Sequence, residues 1–489
     1  MSGFSEIIRR LGPLGEMRRD GHKRFNALTP RTPPTDPYTR LTGANAPRDP
    51  QGPERHEISR GQFTVNIGII IGRIGDVDGV ALEAEKWIRV LTKMGHQVFI
   101  LSGRFKVHPV PPERESLLPI LSFFSPECEW EQNRAFFYPP DDPDELLVTL
   151  DNNAQCVATE IFAWALRNKI DVLLSENASA LPCHLSMGLG IRLAVDRMDI
   201  PIVTHDHDYA WERGTRYDSP FQEITDLVRD TFPLRSKSHI RHAVINSAAQ
   251  SEVKKRFGID AYVVPNVMDF NCPFGVPDEY NGDLLEEIGF DHDDIPVFQI
   301  TRIVERKGIE VAIELIAQLD DPRIKLVITG STADDQRKGY FKSLVDKIAE
   351  QGVGDRVRFA YHRILSNRDR SPSGDKIYSL ADAYASSVAC TYFSTYEGFG
   401  NAFVEAILAK RPIFVNNYKP VFWPDIGSKG FKFVMLEENQ LTDEVITDVD
   451  EILHKSELRK EIAEHNFQLG REHFSFEVLQ DKLEELFDF

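Results

Sequence analysis

From Phe63 onward the chain alternates short, near-continuous apolar runs with longer segments whose apolar residues recur every three or four positions. Phe63-Thr-Val-Asn-Ile-Gly-Ile-Ile-Ile has the length and content of a strand buried on both faces. Gly72 to Gly79 reads as a loop. Val80 to Met94 then carries Leu82, Ala84, Trp87, Ile88, Val90 and Leu91 at helical spacing, and Gly95 closes it as a C-cap. His96 to Leu101 is the next strand, which completes a βαβ unit and predicts a parallel sheet. The alternation continues through a helix at 152–168, a strand at 171–175, a helix at 184–197 and strands at 200–204, 243–246 and 261–266. Residues 271–290, rich in Asp, Glu, Gly and Pro, read as a connection. A second set follows, with strands at 296–301, 325–330, 357–360, 388–393 and 412–415 and helices at 309–318, 340–350 and 401–409.

The pattern therefore predicts an α/β protein of two doubly wound, Rossmann-like domains, residues 63–272 and 273–468. A C-terminal helix at 469–489 is expected to pack back on the first domain, and residues 1–62 form a disordered or extended arm rich in Pro, Gly, Thr and Arg. In open α/β sheets ligands bind outside the carboxyl ends of the strands, so the cleft faced by both sheets is where chemistry is expected.

Composition narrows the partners. The net charge of the 489-residue chain is −19, yet residues 1–64 hold 11 Lys and Arg against 7 Asp and Glu, leaving about −23 on the remainder. So acidic a body is repelled by nucleic-acid backbones and anionic lipid. Lacking an apolar run of eighteen residues or a secretory leader, the chain predicts a cytoplasmic protein without integral membrane contact. Five scattered cysteines without a C-x-x-C spacing read as reduced thiols, not as a disulfide framework or zinc site.

Two segments carry chemistry. In Glu397-Gly-Phe-Gly-Asn-Ala-Phe-Val-Glu405, Gly398 and Gly400 let backbone N–H groups turn toward a ligand. Asn401 is placed to cap the helix that follows, whose positive end suits a phosphate. Glu397 precedes that helix beside the phosphate position, and Glu405, in its second turn, is within reach of a ribose diol. Taken alone, the segment also fits an ordinary loop and a helix with one exposed Glu. The second segment, Thr301-Arg302-Ile-Val-Glu-Arg-Lys307-Gly308, follows the first strand of the second domain. Arg302 at the strand end and Lys307 at the opening of the next helix put two cations over one small volume, the arrangement a leaving diphosphate needs.

These two segments, about 95 residues apart, resemble the family-4 retaining glycosyltransferases of GT-B fold, whose members act in sucrose, trehalose and mannosyl transfer. The resemblance spans Phe63 to the C-terminus and is strongest over 296–415; Thr301 stands in place of the usual Gly, and Lys410-Arg411-Pro412 lacks the common Gly before the Pro. It implies that Arg302 and Lys307 hold the donor diphosphate. It implies further that Glu397, Gly398, Phe399 and Gly400 hold the donor sugar, and that Glu405 holds the ribose. It also implies a front-face mechanism, in which the leaving phosphate helps deprotonate the acceptor without a metal. In the first domain, Gly75-Asp-Val-Asp78-Gly79 falls where the family has a glycine-rich loop near donor phosphate and acceptor; a simple tight turn explains it equally well.

Thr204-His205-Asp206-His207-Asp208 lies at a strand end facing the cleft. Alternation puts His205 and His207 on one side and the two Asp on the other. The resemblance favours His207 as the His near the sugar, and four adjacent residues in extended geometry cannot converge on one ion, so no metal is expected. Tyr209, Trp211, Arg213 and Arg216 follow, aromatic rings interleaved with cations, and suit a sugar ring bearing an anion. A solvated helix over a buried Trp fits them equally well.

The expected function is retaining transfer of glucose or mannose from a nucleotide-diphosphate sugar, GDP-mannose or UDP-glucose, with no cofactor. The expected acceptor is a small soluble molecule, glycerate-type or a sugar phosphate. Its catalytic residues are His207, Glu397, Arg302 and Lys307; Gly79 joins the donor set, and Asp78, Tyr209, Trp211, Arg213 and Arg216 form the acceptor set. Homo-oligomer formation is compatible with the sequence. Alternatives are transfer in cell-surface glycan or lipid assembly and a GT-B sugar-nucleotide epimerase. A dehydrogenase is disfavoured because no G-x-G-x-x-G follows the first strand.

Overall fold

A computed structural model describes residues 64–75, 79–198, 200–235, 239–330 and 339–488. The arm expected at 1–62 lies outside the described residues, as do Asp76 to Asp78.

The first sheet is built from β1 (Asn66–Ile71), β2 (Gln97–Ser102), β3 (Glu115–Leu117), β4 (Val172–Glu176), β5 (Ile202–Asp206), β6 (Ile240–Val244) and β7 (Ala261–Val263). All seven are parallel in the order β3-β2-β1-β4-β5-β6-β7. β1 and β4 are buried almost end to end because helices cover both faces, which is why the strands read as apolar runs. Gly68 in β1 is required for that packing, since a Cβ there would come within 2.7 Å of the Trp164 ring on helix Asp144–Asn168. This helix starts eight residues before the expected Asn152: Leu146 and Leu150 extend the buried stripe of Ala154, Val157 and Ile161 by two turns.

In the second domain, β8 (Ile295–Gln299), β9 (Ile324–Ile328) and β10 (Val357–Phe359) precede a small sheet of β11 (Ile364–Leu365), β12 (Asp369–Arg370) and β13 (Lys376–Ser379). β14 (Ala389–Tyr392), β15 (Ile413–Asn416) and β16 (Val434–Leu436) complete a parallel sheet ordered β10-β9-β8-β14-β15-β16. The small sheet falls where the apolar pattern predicts no element.

Each large sheet reverses its winding once, between β1 and β4 and between β8 and β14. The loops after these four strands therefore border the two crevices where ligands collect. The last helix, Phe476–Phe487, returns to the first domain: Phe476, Leu479, Leu483 and Leu486 join the core of Trp87, Ile88 and Leu91. Arg241 donates to the carbonyls of Glu485 and Leu486 at its C-terminus, at 2.8 and 3.1 Å. No described helix is long and apolar enough to cross a membrane.

Candidate active site

The loops after β8 and β14 meet through a buried glutamine. Gln299, the last residue of β8, donates to the Lys307 carbonyl at 2.8 Å and accepts from the Thr391 hydroxyl of β14 at 2.9 Å. This tie draws Lys307 against the neighbouring strand. Lys307 does not open the helix, as the sequence suggests; it ends a turn of Glu305–Lys307, and the helix starts at Ile309. Gly308 between them has φ 59°, and a Cβ there would sit 2.3 Å from the Phe393 carbonyl oxygen, so the turn needs glycine.

The Lys307 ammonium is buried, pairs with Glu397 and lies 5.3 Å above the Tyr392 ring. Arg306 also reaches Glu397, Nη1 to Oε2 at 3.1 Å, and holds the Tyr396 carbonyl at 2.7 Å. Burial and the charges of Arg306 and Arg302 push the Lys307 pKa down against the pull of Glu397. Burial works to raise the Glu397 carboxyl, but Lys307 and Arg306 prevail and hold it below its ordinary value. Two cations, Arg306 and Lys307, thus pair with one carboxylate, and the charge of Arg302 acts on Lys307 as well. Arg306 was not among the expected site residues. Its place between Arg302 and Lys307 in the chain was the available signal.

The glycine segment after Glu397 is held from both domains. Gly398 gives its carbonyl to Asn246 of the first domain at 2.6 Å, and a Cβ on it would approach Ile245 to 3.3 Å. Gly400 has φ 135°, and a Cβ would collide with the Tyr418 hydroxyl, which donates to the Phe399 carbonyl at 2.8 Å. The Phe399 ring is buried against Phe474, so only its backbone N–H is left to face a ligand. Asn401 does not cap the helix Asn401–Leu408: its side-chain oxygen accepts from Asn266 of the first domain at 2.8 Å, and no side chain caps that helix. Domain contact has taken the group that the sequence pattern assigned to the cap. Glu405 accepts from the Tyr384 hydroxyl at 3.0 Å; burial raises its pKa, and Glu83 and Lys86 of the first domain are close enough to act on it. Where the family has its glycine, Lys410 takes the left-handed conformation, φ 56°, and Arg411 satisfies the carbonyls of Tyr384 and Ala385.

On the first-domain side, Gly79 opens helix Gly79–Lys93 with empty space beside it, while Asp78 lies outside the described residues. β5 runs two residues further than expected and carries His205 and Asp206 on its end. His205 and His207 do share a side, and both turn to Glu176, the last residue of the adjacent β4. The Glu176 carboxylate lies 3.0 Å from His205 Nδ1 and 2.9 Å from His207 Nε2. It is fully buried; burial opposes its ionisation, but the two imidazoles prevail and hold its pKa at about 2. His205 stacks on Trp87 with ring centroids 4.1 Å apart, which locks the inner imidazole and leaves His207 as the one at the cleft. Asn177 fixes the backbone beyond, accepting from the His207 N–H at 3.1 Å and donating to Asp208 at 3.3 Å. Glu176 was missed because it lies 29 residues before His205 and becomes its neighbour only through the β4–β5 register. Adjacent residues alone cannot converge on one ion, but across the β4–β5 register Glu176 joins the two imidazoles: one ligating atom each of Glu176, His205 and His207 lie within 4.8 Å of one another.

The acceptor set separates. Tyr209 is 1% exposed, packed with Val244, Ala249 and Val253, and its hydroxyl donates to Asp206 at 3.2 Å. Trp211 stacks on Tyr209 at 4.5 Å and is covered by the Arg256 guanidinium. The Tyr209 ring is therefore part of the packing, while Trp211 lies over it half-buried. Arg213 and Arg216 stay exposed. Arg213 pairs with Asp208; Arg216 lies over the rings of Phe137 and Tyr217, 5.0 and 5.8 Å from their centroids.

Residues 283–468 match the family described as glycosyl transferases group 1. Over 455 residues the chain is 32% identical to mannosylglucosylglycerate synthase of Thermotoga maritima, which spans 86% of this chain and 99% of that protein. The mannosylglucosylglycerate synthase of Petrotoga mobilis is 29% identical over 406 residues, 76% of this chain and 86% of that one. Among solved structures, HepE of Anabaena, in complex with UDP and glucose, overlays with a TM-score of 0.57 at 15% identity, across 86% of this chain and 98% of that one. This likeness shows the two-domain GT-B fold.

Proposed function

The chain belongs to the group 1 glycosyl transferases, and from that premise we propose that it moves a mannosyl unit from a nucleotide-diphosphate sugar to a small carboxylated glycoside of the glucosylglycerate kind. The names of its curated relatives support mannose and that acceptor, and they favour GDP-mannose over UDP-glucose as the donor. The observation that carries the reading is the pairing of Arg306 and Lys307 with Glu397 at the β8–β14 reversal, with the charge of Arg302 acting on Lys307. Charge builds on the β-phosphate as the glycosidic bond breaks, and a buried ammonium held on Glu397 beside the Arg306 guanidinium stabilises it without reorganising. Glu397, kept ionised by the same cations, accepts hydrogen bonds from donor-sugar hydroxyls. The amides of Gly398 to Gly400 hold the same sugar, and Glu405 takes the ribose. Transfer proceeds with retention: the acceptor hydroxyl approaches the face from which the diphosphate leaves and passes its proton to it. His207, braced by Glu176, holds the transferred sugar from the other side of the cleft.

Incubation with GDP-mannose and glucosylglycerate, followed by NMR of the anomeric proton, tests donor, acceptor and retention together. An inverted anomer overturns the front-face step, and no product with this pair overturns the substrate reading. We further propose that the cations make a divalent metal unnecessary. The cluster of Glu176, His205 and His207 is the observation that favours the opposite, a metal-assisted reading. Dialysis against EDTA decides: full activity supports the first, and loss restored only by a divalent cation supports the second.

A further inference from the structure

With Tyr209 committed to packing and Trp211 stacked over it, the aromatic surface that an acceptor sugar needs must be found elsewhere on the same wall. A cavity of about 210 Å³ lies beside Arg216, lined by Phe123, Phe124, Glu129, Gln132, Asn133 and Phe137. We propose that this groove is the subsite for the glycosyl ring of the acceptor, with the exposed Arg216 at its Phe137 edge to take the carboxylate. The proposal rests on the carboxylated-glycoside reading above and deepens it.

Its place in the fold puts it at the reacting edge. Phe123 covers Gly72, the residue that follows β1, so closely that a Cβ there would stand 2.5 Å from the ring. The groove thus borders the carboxyl end of the strand where the first sheet reverses. A series of contacts leads to it from the His207 segment. Asn177 holds His207 and Asp208, Asp208 pairs with Arg213, and Arg213 and Arg216 both act on Cys183. Arg216 then lies over Phe137.

Its chemistry fits a pyranose. Phe124 is 63% exposed and Phe137 37%, two large rings left in water at the rim of a polar groove. Their faces match the C–H face of a sugar, and Glu129, Gln132 and Asn133 offer a carboxylate and two amides to its hydroxyl rim. The backbone supports this display: Asn133–Phe137 is a π-turn continuing the helix Pro126–Gln132, and the wider turn sets Phe137 outward while Ala135 stays buried. Arg73 lies 4.8 Å over Phe124 and Arg216 5.0 Å over Phe137. A guanidinium stacked on a ring keeps its donors in its own plane, so the exposed Arg216 is able to grip a carboxylate. This cation is matched to an anion in a protein whose net charge is −19.

The test compares glucosylglycerate with unglycosylated glycerate as acceptors for wild type, Phe124→Ala/Phe137→Ala and Phe137→Tyr. Acceptor and donor KM are measured in each, with calorimetric Kd for both acceptors. The double alanine variant should raise KM and Kd for the glycoside by about tenfold or more, leave those for glycerate within about twofold, and leave the donor KM unmoved. Phe137→Tyr should restore near-normal values when Phe124 is intact. Equal weakening of both acceptors, or an unchanged glycoside constant while wild type turns it over, overturns the subsite and leaves the substrate reading standing. If wild type neither binds nor uses the glycoside but transfers to another acceptor, the substrate reading falls and this subsite with it.

Discussion

The two walls of the cleft are built in opposite ways. In the second domain the charged groups come from two short segments, residues 301–308 and 397–405, and the Lys307–Glu397 pair at their centre is buried in a frame fixed by Gln299 on the Lys307 carbonyl and Tyr418 on the Phe399 carbonyl. In the first domain the corresponding surface gathers Arg73, Phe124, Phe137, Glu176, His207 and Arg216 from across the chain, and its rim stays in water. A diphosphate is the same in every donor, and a rigid, desolvated site recognises it most strongly. Acceptors differ from enzyme to enzyme, and exposed rings and arginines are replaced at little cost to the core.

If this contrast is sound, the largest effects should come from the buried pair. Lys307→Ala and Glu397→Ala should each lower kcat by about a hundredfold or more, a loss of roughly 3 kcal/mol in transition-state stabilisation. Each should also lower the melting temperature, because the remaining charge is stranded away from water. Joining Lys307→Met to Glu397→Gln should recover much of the stability and none of the activity. Near-normal turnover in both single variants would sink the assignment.

Next is Glu176, which holds His207 and, under the proposed function, acts through it as a positioning residue. Glu176→Gln should lower kcat by about tenfold with the donor KM little changed, whereas a purely structural role would leave kcat alone. The acid limb of stability distinguishes it further. The Glu176 carboxyl titrates near 2 in the folded protein against an ordinary 4.5. Its contribution, on the order of 3 kcal/mol, is complete above 4.5 and is lost as pH falls from there toward 2. Urea midpoints of wild type and Glu176→Gln at pH 6 and pH 3 should therefore differ most at the higher pH.

Smaller effects belong to the exposed arginines. Arg216→Ala should raise the acceptor KM by about tenfold and leave the donor KM unchanged. Arg213→Ala should cost less, since Arg213 already spends its charge on Asp208. A shift in donor KM with either would blur the division between the walls. The smallest effect is expected at Tyr209→Phe. Losing its hydrogen bond to Asp206 should cost about 1 kcal/mol of stability, with acceptor KM unchanged within about twofold. A large rise in that constant would return Tyr209 to the acceptor site.

What the sequence determined by itself was whatever is encoded within one or two turns of chain. Continuous apolar runs announced most strands of both parallel sheets, though not the short edge strands β3 and β16, because strands covered on both faces have no polar side to show. The glycines at 398 and 400 and the carboxylates and cations of the two segments were legible because backbone turns and charge are local properties. The tertiary structure decided everything that depends on which strand lies beside which. Glu176 reaches His205 and His207 only through the β4–β5 register. Asn401 gave up its cap for a bond to Asn266 in the other domain. The aromatic stretch Tyr209 to Trp211 illustrates the limit most clearly. Its composition suits a sugar and a core equally well, and only packing against Val244, Ala249 and Val253 decided that the Tyr209 ring is buried while Trp211 lies half-buried over it. Hydrophobic burial is non-directional along the chain, so it reveals that a ring will be covered and leaves to packing what covers it.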